Sequence, residues 1–258
     1  MRRVDETAIE WLEGPGGRRI AFRHAPGEGP ALVFLPGYMS DMSGSKAAAV
    51  LAWARSRGRA CLLLDYSGCG ISDGAFAEGT LSRWRDEVLA LIETRANGPV
   101  VLVGSSMGGW LMLLVALARP RSVASLVGIA AAPDFTDWGR TPAQQARLAA
   151  GETVFDPNPY GPEPTPMHAA FWADGQALRL LDAEIPLDCP VRLMHGQADA
   201  DVPSALSLRL AATLRSADVQ IILVKDGDHR LSRDQDIALL LRVIEDLPAP
   251  PQRAAALP

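Results

Sequence analysis

A single α/β domain, with a mostly parallel sheet flanked by helices on both faces, is the fold the sequence predicts. Three observations carry that expectation. Short apolar runs alternate with helical patterns along most of the chain. The runs are apolar throughout rather than at every second residue, as strands buried on both faces must be. The 258 residues also suit one such domain. A β-α-β-α succession needs crossover connections and builds three layers, helices over sheet over helices.

The chain opens on two β-like segments, residues 7–12 and 18–24. Gly14-Pro15-Gly16-Gly17 between them is strong turn punctuation, so the pair reads as a hairpin. Residues 31–35 form a short buried strand, and the alanine-rich stretch 46–57 a helix ended by Gly58. Residues 60–64 are the next strand and 81–95 the next helix, with Thr80 placed to cap it. Strand 99–103, helix 107–118 and strand 123–130 follow. The alternation then stops. Residues 133–187 hold a helix-like patch at 143–150, a proline-rich stretch and, among their aromatics, Phe135, Trp138, Phe171 and Trp172, with no strand pattern. An excursion that long reads as a lid or cap inserted into the core. Strand 191–194, helix 204–214, strand 219–224 and helix 233–246 resume the pattern. The expectation is an eight-stranded sheet in a core of residues 1–132 and 188–247, a cap at 133–187, and a disordered tail at 248–258.

Composition excludes several classes of function. Hydrophobic residues at 48% and charged residues at 21% suffice for a packed core, so the chain is not disordered. A net charge of −5 argues against a nucleic-acid partner. The strongest apolar run, residues 110–118, is far short of the roughly 18 residues of a membrane span. Stable membrane insertion is therefore not expected. Cys61, Cys69 and Cys189 are odd in number and lack CxxC spacing, which favours a reduced compartment and no structural metal. The opening MRRVDETAIEWLEG has neither an apolar core nor the acid-poor composition of a targeting segment. A cytoplasmic protein is the expectation, with its oligomeric state left open.

The chemistry centres on Gly104-Ser105-Ser106-Met107-Gly108, which joins an apolar strand directly to a helix. A G-x-S-x-G run in that context is a nucleophile elbow, in which the middle serine takes a strained backbone and glycines two residues away avoid collision. An incidental serine in a glycine-rich turn is the plainer reading, but it does not require a strand–helix junction in the middle of the sheet. Ser106 is the candidate nucleophile; Ser105 lacks the symmetric glycines. Its hydroxyl stands at a helix N-terminus, where developing negative charge is favoured.

A serine hydroxyl needs a base. Of the four histidines, His24 lies in the opening hairpin, His168 in the cap, and His195 at a strand end where a hydrogen-bonding role suits it. His229, in the loop after the last strand, leaves the same sheet edge as the elbow and is the candidate general base. Asp199 is the favoured carboxylate to orient it; Asp201, beside the next helix start, and Asp134 are its competitors. Met107 N–H and Tyr38 N–H are the expected oxyanion donors, with Gly37 permitting close backbone approach. Gly37, Met39, Trp110, Phe135, Trp138, Phe171 and Trp172 are candidate substrate-binding residues. Trp110, at the start of a buried helix, suits the core better than a pocket wall, though it is close enough to line one; the cap aromatics suit a lid lining and an anchor on the domain equally. Asp65-Tyr66-Ser67-Gly68-Cys69-Gly70 lacks the lysine and spacing of a phosphate loop and reads as a structural turn. Cys69 within it has no basic neighbour to activate its thiol.

The order serine, aspartate, histidine along the chain, and the stretches LPGYMSDMSGSKA, LDYSGCGISDG, GPVVLVGSSMGGWLMLLVALARP, CPVRLMHGQADADVP and DGDHRLS, resemble the α/β-hydrolase superfamily. Within it the likeness is to palmitoyl-protein thioesterases, also described as acyl-glucuronide esterases, and their bacterial relatives. It spans most of residues 31–245 and is poorest in the cap. The resemblance implies the α/β-hydrolase fold and hydrolysis of acyl thioesters or carboxylic esters by Ser106, Asp199 and His229, without cofactor or metal. Its substrate is a small acyl ester or thioester, or an acylated protein. Two rivals remain. A serine peptidase of the same fold needs an acidic subsite, for which Asp134, Asp137, Glu152, Asp156 and Glu163 are available. A non-catalytic binding protein on this scaffold does not need all three competent side chains.

Overall fold

A computed structural model of the chain describes residues 8–158 and 161–249. The tail expected at 248–258 falls outside them beyond its first two residues, as does Thr7 of the expected opening strand. Strands β1 (Ile9–Glu13) and β2 (Arg19–Ala25) form the antiparallel hairpin about Gly14–Gly17. Then come β3 (Glu28–Leu35), α1 (Ser45–Ser56), β4 (Arg59–Leu64), α2 (Leu81–Arg95), β5 (Val100–Ser105), α3 (Met107–Ala118) and β6 (Val123–Ile129). After an excursion the core resumes with β9 (Val191–Gly196), α6 (Ala205–Thr213), β10 (Val219–Val224) and α7 (Asp234–Glu245). The sheet runs β1-β2-β4-β3-β5-β6-β9-β10. Its pairings from β4 to β10 are parallel, while β2 meets both its neighbours antiparallel.

Side chains alternate across each central strand, and that alternation assigns the layers. Leu32 and Phe34 of β3, Cys61 and Leu63 of β4, and Val101 and Val103 of β5 face one core with α1 and α7. Val33 and Leu35, Leu62 and Leu64, and Val100 and Leu102 face the other with α2, α3 and α6. Helix α1 buries Ala47, Val50, Leu51 and Ala54, a single stripe at helical spacing. Helix α3 differs: ten of its twelve residues are buried, as befits a helix enclosed by sheet on one side and by α2 and the excursion after β6 on the other. Thr80 accepts a hydrogen bond from the Arg83 amide at the start of α2, the cap its position called for.

The excursion between β6 and β9 is not strandless. It contains α4 (Pro142–Ala149), a two-stranded antiparallel hairpin of β7 (Val154–Asp156) and β8 (Thr165–Met167), and α5 (Ala169–Ala177). Three-residue strands beside prolines carry no readable period, so the pattern could not reveal them. Several polar contacts fasten the excursion down. The Asp134 carboxylate accepts the amides of Leu180 and Leu181 at 2.9 Å each, tying its two ends together. Asp174 of α5 accepts the Ser82 amide at 2.8 Å and its hydroxyl at 2.7 Å, joining α5 to α2. The Tyr38 hydroxyl donates to Pro166 O at 2.8 Å, fixing the hairpin over the end of β3.

The junction of β5 and α3 is the tightest point in the fold. A Cβ on Gly108 would lie 2.0 Å from Leu35 O and 2.6 Å from Pro36 O; one on Gly104 would lie 2.3 Å from Gly108 O. Backbone meets backbone there with no flexible end to yield. Gly108→Ala should therefore lower the unfolding free energy by at least about 3 kcal/mol in urea titration. A parent-like unfolding midpoint would contradict this packing.

Candidate active site

Ser106 sits between β5 and α3 at φ 54° and ψ −119°, a region non-glycine residues rarely occupy. Its neighbours hold it there. The Ser106 amide donates to Ile129 O at 2.9 Å, and Ser106 O accepts from Gly109 and Ala132 at 2.8 and 3.1 Å. That strained turn lifts the side chain off the sheet. Parallel strands place the loops after β3, β5, β9 and β10 at one edge. Those of β9 and β10 touch directly: Ala198 N donates to Gly227 O at 2.9 Å, and a Cβ on Gly196 would stand 2.1 Å from that oxygen.

The contact brings three predicted residues together. His229 Nε2 lies 3.0 Å from Ser106 Oγ, and His229 Nδ1 lies 2.8 Å from Asp199 Oδ2. An ionised carboxylate only accepts, so Nδ1 carries the hydrogen and Nε2 is left to receive the serine proton. Asp199 has its side chain fully buried and also accepts the amides of Asp201 and Val202 on Oδ1, at 2.9 and 2.8 Å. Burial alone would raise its carboxyl, but hydrogen bonds from His195, His229 and the Val202 amide outweigh it and hold the group well below the usual carboxylate range.

The competing residues have other engagements. Asp134 is occupied by the two amides of the excursion, and Asp201 is exposed at the turn. Ser105 is the last residue of β5. His24 belongs to β2, and His168 precedes α5 with Nδ1 3.0 Å from Thr153 Oγ1; neither lines the cleft around Ser106. Asp65 accepts the amides of Met42 and Ile71 at 2.7 and 3.0 Å, the bonding of a structural turn. Burial pushes the Cys69 thiol up to about 12.

Ser106 and His229 open on a cleft of ≈ 1000 Å³ beneath the excursion. Gly37, Tyr38, Met39, Phe135 and Trp138 line it, joined by Met167. Gly37 packs against Ser106, a Cβ there standing 3.4 Å from Ser106 Cβ. Met107 begins α3, so its amide is among those without an intrahelical partner. Trp110, Phe171 and Trp172 do not line the cleft. Trp110 is fully buried with its indole N–H donating to Leu178 O at 3.3 Å. Phe171 lies behind the lining, 4.9 Å from the Tyr38 ring and 5.8 Å from that of Phe135. Trp172, on α5 beside it, packs against the core. Their aromatic character reads the same in a core as in a pocket.

Three cationic residues also line the cleft, Lys46, Arg140 and Arg230. Lys46, in the first turn of α1, donates to Arg230 O and, at 3.3 Å, to Ser232 Oγ, clasping the loop that carries His229. Burial lowers its ammonium to about 8. A lysine in an alanine-rich helix reads as solvated surface, so nothing in the pattern pointed to this contact. Arg140 forks onto Asp156 at 2.7 and 2.6 Å, binding the start of α4 to β7. Asp199, Asp201 and His229 each offer one metal-ligand atom within 4.8 Å of the others. The Asp199 carboxylate and the His229 ring already hold each other at 2.8 Å.

Residues 32–243 match the alpha/beta hydrolase family, and the chain belongs to that family. Human palmitoyl-protein thioesterase ABHD10, mitochondrial, is 40% identical over 246 residues, spanning 94% of this chain and 80% of the relative. The solved structure of alpha/beta hydrolase domain-containing protein 10 from mouse aligns with a TM-score of 0.85 at 39% identity, over 93% of this chain and 97% of that one. A putative hydrolase from Agrobacterium vitis S4 aligns at 0.86 and 39%, over 92% and 98%. The expected cytoplasmic location is corrected by these relatives, since the human, bovine and mouse proteins are named mitochondrial. Reduced thiols do not separate one reducing compartment from another, so composition could not decide it. Among the described residues, no helix is long and apolar enough to cross a membrane.

Asp199→Asn tests the electrostatics. A carboxyl held low in the folded state contributes stability above its unfolded value of about 3.9, and loses it as the pH falls toward the folded value. The parent should exceed the variant by about 2 kcal/mol of unfolding free energy at pH 7, the gap closing below about pH 4. A gap independent of pH would contradict the assignment.

Proposed function

We propose that this enzyme hydrolyses acyl thioesters, and carboxylic esters beside them, through an acyl-enzyme on Ser106. The observation that carries the reading is the pair of hydrogen bonds Ser106–His229–Asp199, at 3.0 and 2.8 Å, on the wall of an open cleft. The human relative's name, a palmitoyl-protein thioesterase, supports the thioester as the first substrate class.

Ser106 Oγ attacks the acyl carbonyl carbon while His229 Nε2 takes its proton; Asp199 holds the ring and stabilises its protonated form. The Met107 and Tyr38 amides receive the oxyanion. Collapse breaks the bond to sulfur or oxygen, and the leaving group departs with the proton from His229. Water then gives a proton to the same nitrogen and attacks the acyl carbon, and Ser106 Oγ leaves reprotonated. The acyl chain lies along Tyr38, Phe135, Trp138 and Met167 under the excursion, which serves as the cap.

The peptidase alternative is weakened by the engagement of the cap acids. Asp137 pairs with Arg179 at 3.1 Å, Glu152 with Arg147 at 2.7 Å and Asp156 with Arg140, while Asp134 holds two amides. Glu163, the fifth of these acids, is exposed between β7 and β8 and does not line the cleft, and of the other four only Asp156 does. The non-catalytic alternative leaves the spacing of all three triad side chains unexplained.

Ser106→Ala should abolish labelling by a fluorophosphonate probe and cut palmitoyl-thioester turnover by about 10³-fold or more. Parent-like hydrolysis of p-nitrophenyl esters by that variant would overturn the reading. Phe135→Ala should lower kcat/KM for a sixteen-carbon thioester about tenfold more than for a four-carbon one. An equal loss for both chain lengths would remove Phe135 from the acyl wall.

A further inference from the structure

Asp199 shares its inner oxygen between two imidazoles. His229 Nδ1 lies 2.8 Å from Oδ2, and His195 Nε2 lies 3.2 Å from the same oxygen. His195 is fully buried at the end of β9. Its Nε2 is also 2.9 Å from Val202 O, and its Nδ1 is 2.7 Å from the buried Ser207 Oγ on α6. The hydrogen positions follow from these partners. A carbonyl and a carboxylate can only accept, so Nε2 bears the hydrogen and divides it between Val202 O and Asp199 Oδ2. Nδ1 then accepts from the Ser207 hydroxyl, and the ring is held at both ends.

With this bond Asp199 meets four donors, the amides of Asp201 and Val202 on Oδ1 and the two histidines on Oδ2. Four donors match the lone-pair sites of a carboxylate and leave it a single rotamer. Val202 O and N bond to the ring and the carboxylate respectively, so the loop that leaves β9 closes around both. His195 and Asp199 are four residues apart, and Ser207 stands on the helix that follows. One short segment thus supplies the acid of the site, its rotamer lock and the anchor of that lock.

We infer that His195 is a positioning residue: it fixes the Asp199 carboxylate in place and draws off part of the charge that Asp199 presents to His229. The inference rests on the Ser106–His229–Asp199 reading and deepens it. A positioning group of this kind should act on the chemical step and leave substrate binding alone. Removing it leaves more charge on Oδ2 for the protonated form of His229. The acid limb of kcat/KM should then move to higher pH. The charged groups around the pair, Lys46 of α1, Asp228 and Arg230 of the His229 loop, and Asp201 of the Asp199 loop, remain unchanged in every variant below.

The test is a set of pH–rate profiles with a long-chain acyl thioester on the full-length chain. His195→Phe should lower kcat by about 10- to 100-fold with KM within about twofold of the parent, and shift the acid limb upward. His195→Gln keeps an N–H near the Nε2 position and a carbonyl for Ser207, and should recover most of the rate and the parent limb. Should His195→Phe fail to fold, Ser207→Ala removes only the anchor at Nδ1; it should lower kcat about threefold, with the same direction of limb shift. A folded His195→Phe protein with parent kcat and limb overturns the inference. So does a His195→Gln protein as impaired as His195→Phe, or a Ser207→Ala protein identical to the parent. Fluorophosphonate labelling of the parent reports on the nucleophile separately, so failure of the underlying reading is distinguishable from failure of this one.

Discussion

Backbone-to-backbone contact at the elbow is the constraint on which the rest of the structure depends. Helix α3 can follow β5 without a connecting loop only because Gly104 and Gly108 present no side chains to each other or to the end of β3. The turn forces φ 54° on Ser106, and the bonds to Ile129, Gly109 and Ala132 keep it there. Strain of this kind persists where the surroundings over-determine it. Because α3 is buried on nearly every side, the hydroxyl is set by a packed helix rather than by an exposed loop.

The same logic of close approach repeats where β9 and β10 end. Gly196 lies against the Gly227 carbonyl, and the loops beyond them bring Asp199 and His229 to 2.8 Å. Each loop has its own fastening. Asp199 is locked by its neighbouring amides and His195, and the His229 loop is held by Lys46 from the opposite element. The cap is fastened in turn, by Asp134, Asp174 and Tyr38. Its aromatic lining is backed by a second rank of rings, with Phe171 wedged between Tyr38 and Trp84 at 4.9 and 5.6 Å. Polar ties set the cap's position and the ring packing sets its shape.

The core was legible because its physics is periodic. Fully apolar runs mark buried parallel strands, and a parallel sheet sends its loops to one edge, so Ser106 and His229 could be assigned to one edge, with Asp199 favoured there over Asp134 and Asp201. The elbow was legible because few turns require glycine at both flanks. The cap was opaque for the opposite reason: β7 and β8 are three residues each, beside prolines, and their pairing is set by contacts rather than pattern. Trp110, Phe171 and Trp172 show the limit for aromatics, whose composition cannot tell a cleft wall from the packing behind it. Lys46 was missed because its hydrogen bonds reach a loop more than 180 residues away, and His195 because a strand-end histidine does not reveal which side chains its ring meets. A hydrogen-bonding role for His195 was readable from its strand end, but its partner Asp199 was not.

The central claim, that the strained Ser106 hydroxyl becomes acylated, is tested most directly by trapping the intermediate. The protein would be mixed with a long-chain acyl thioester, quenched in acid within the first turnover, and mapped by peptide mass spectrometry. One acyl group is expected, on the peptide containing Ser106, and it disappears on a chase without substrate. An acyl group recovered on Cys61, Cys69 or Cys189 instead, or a burst of product with no acylated residue at all, would contradict that claim.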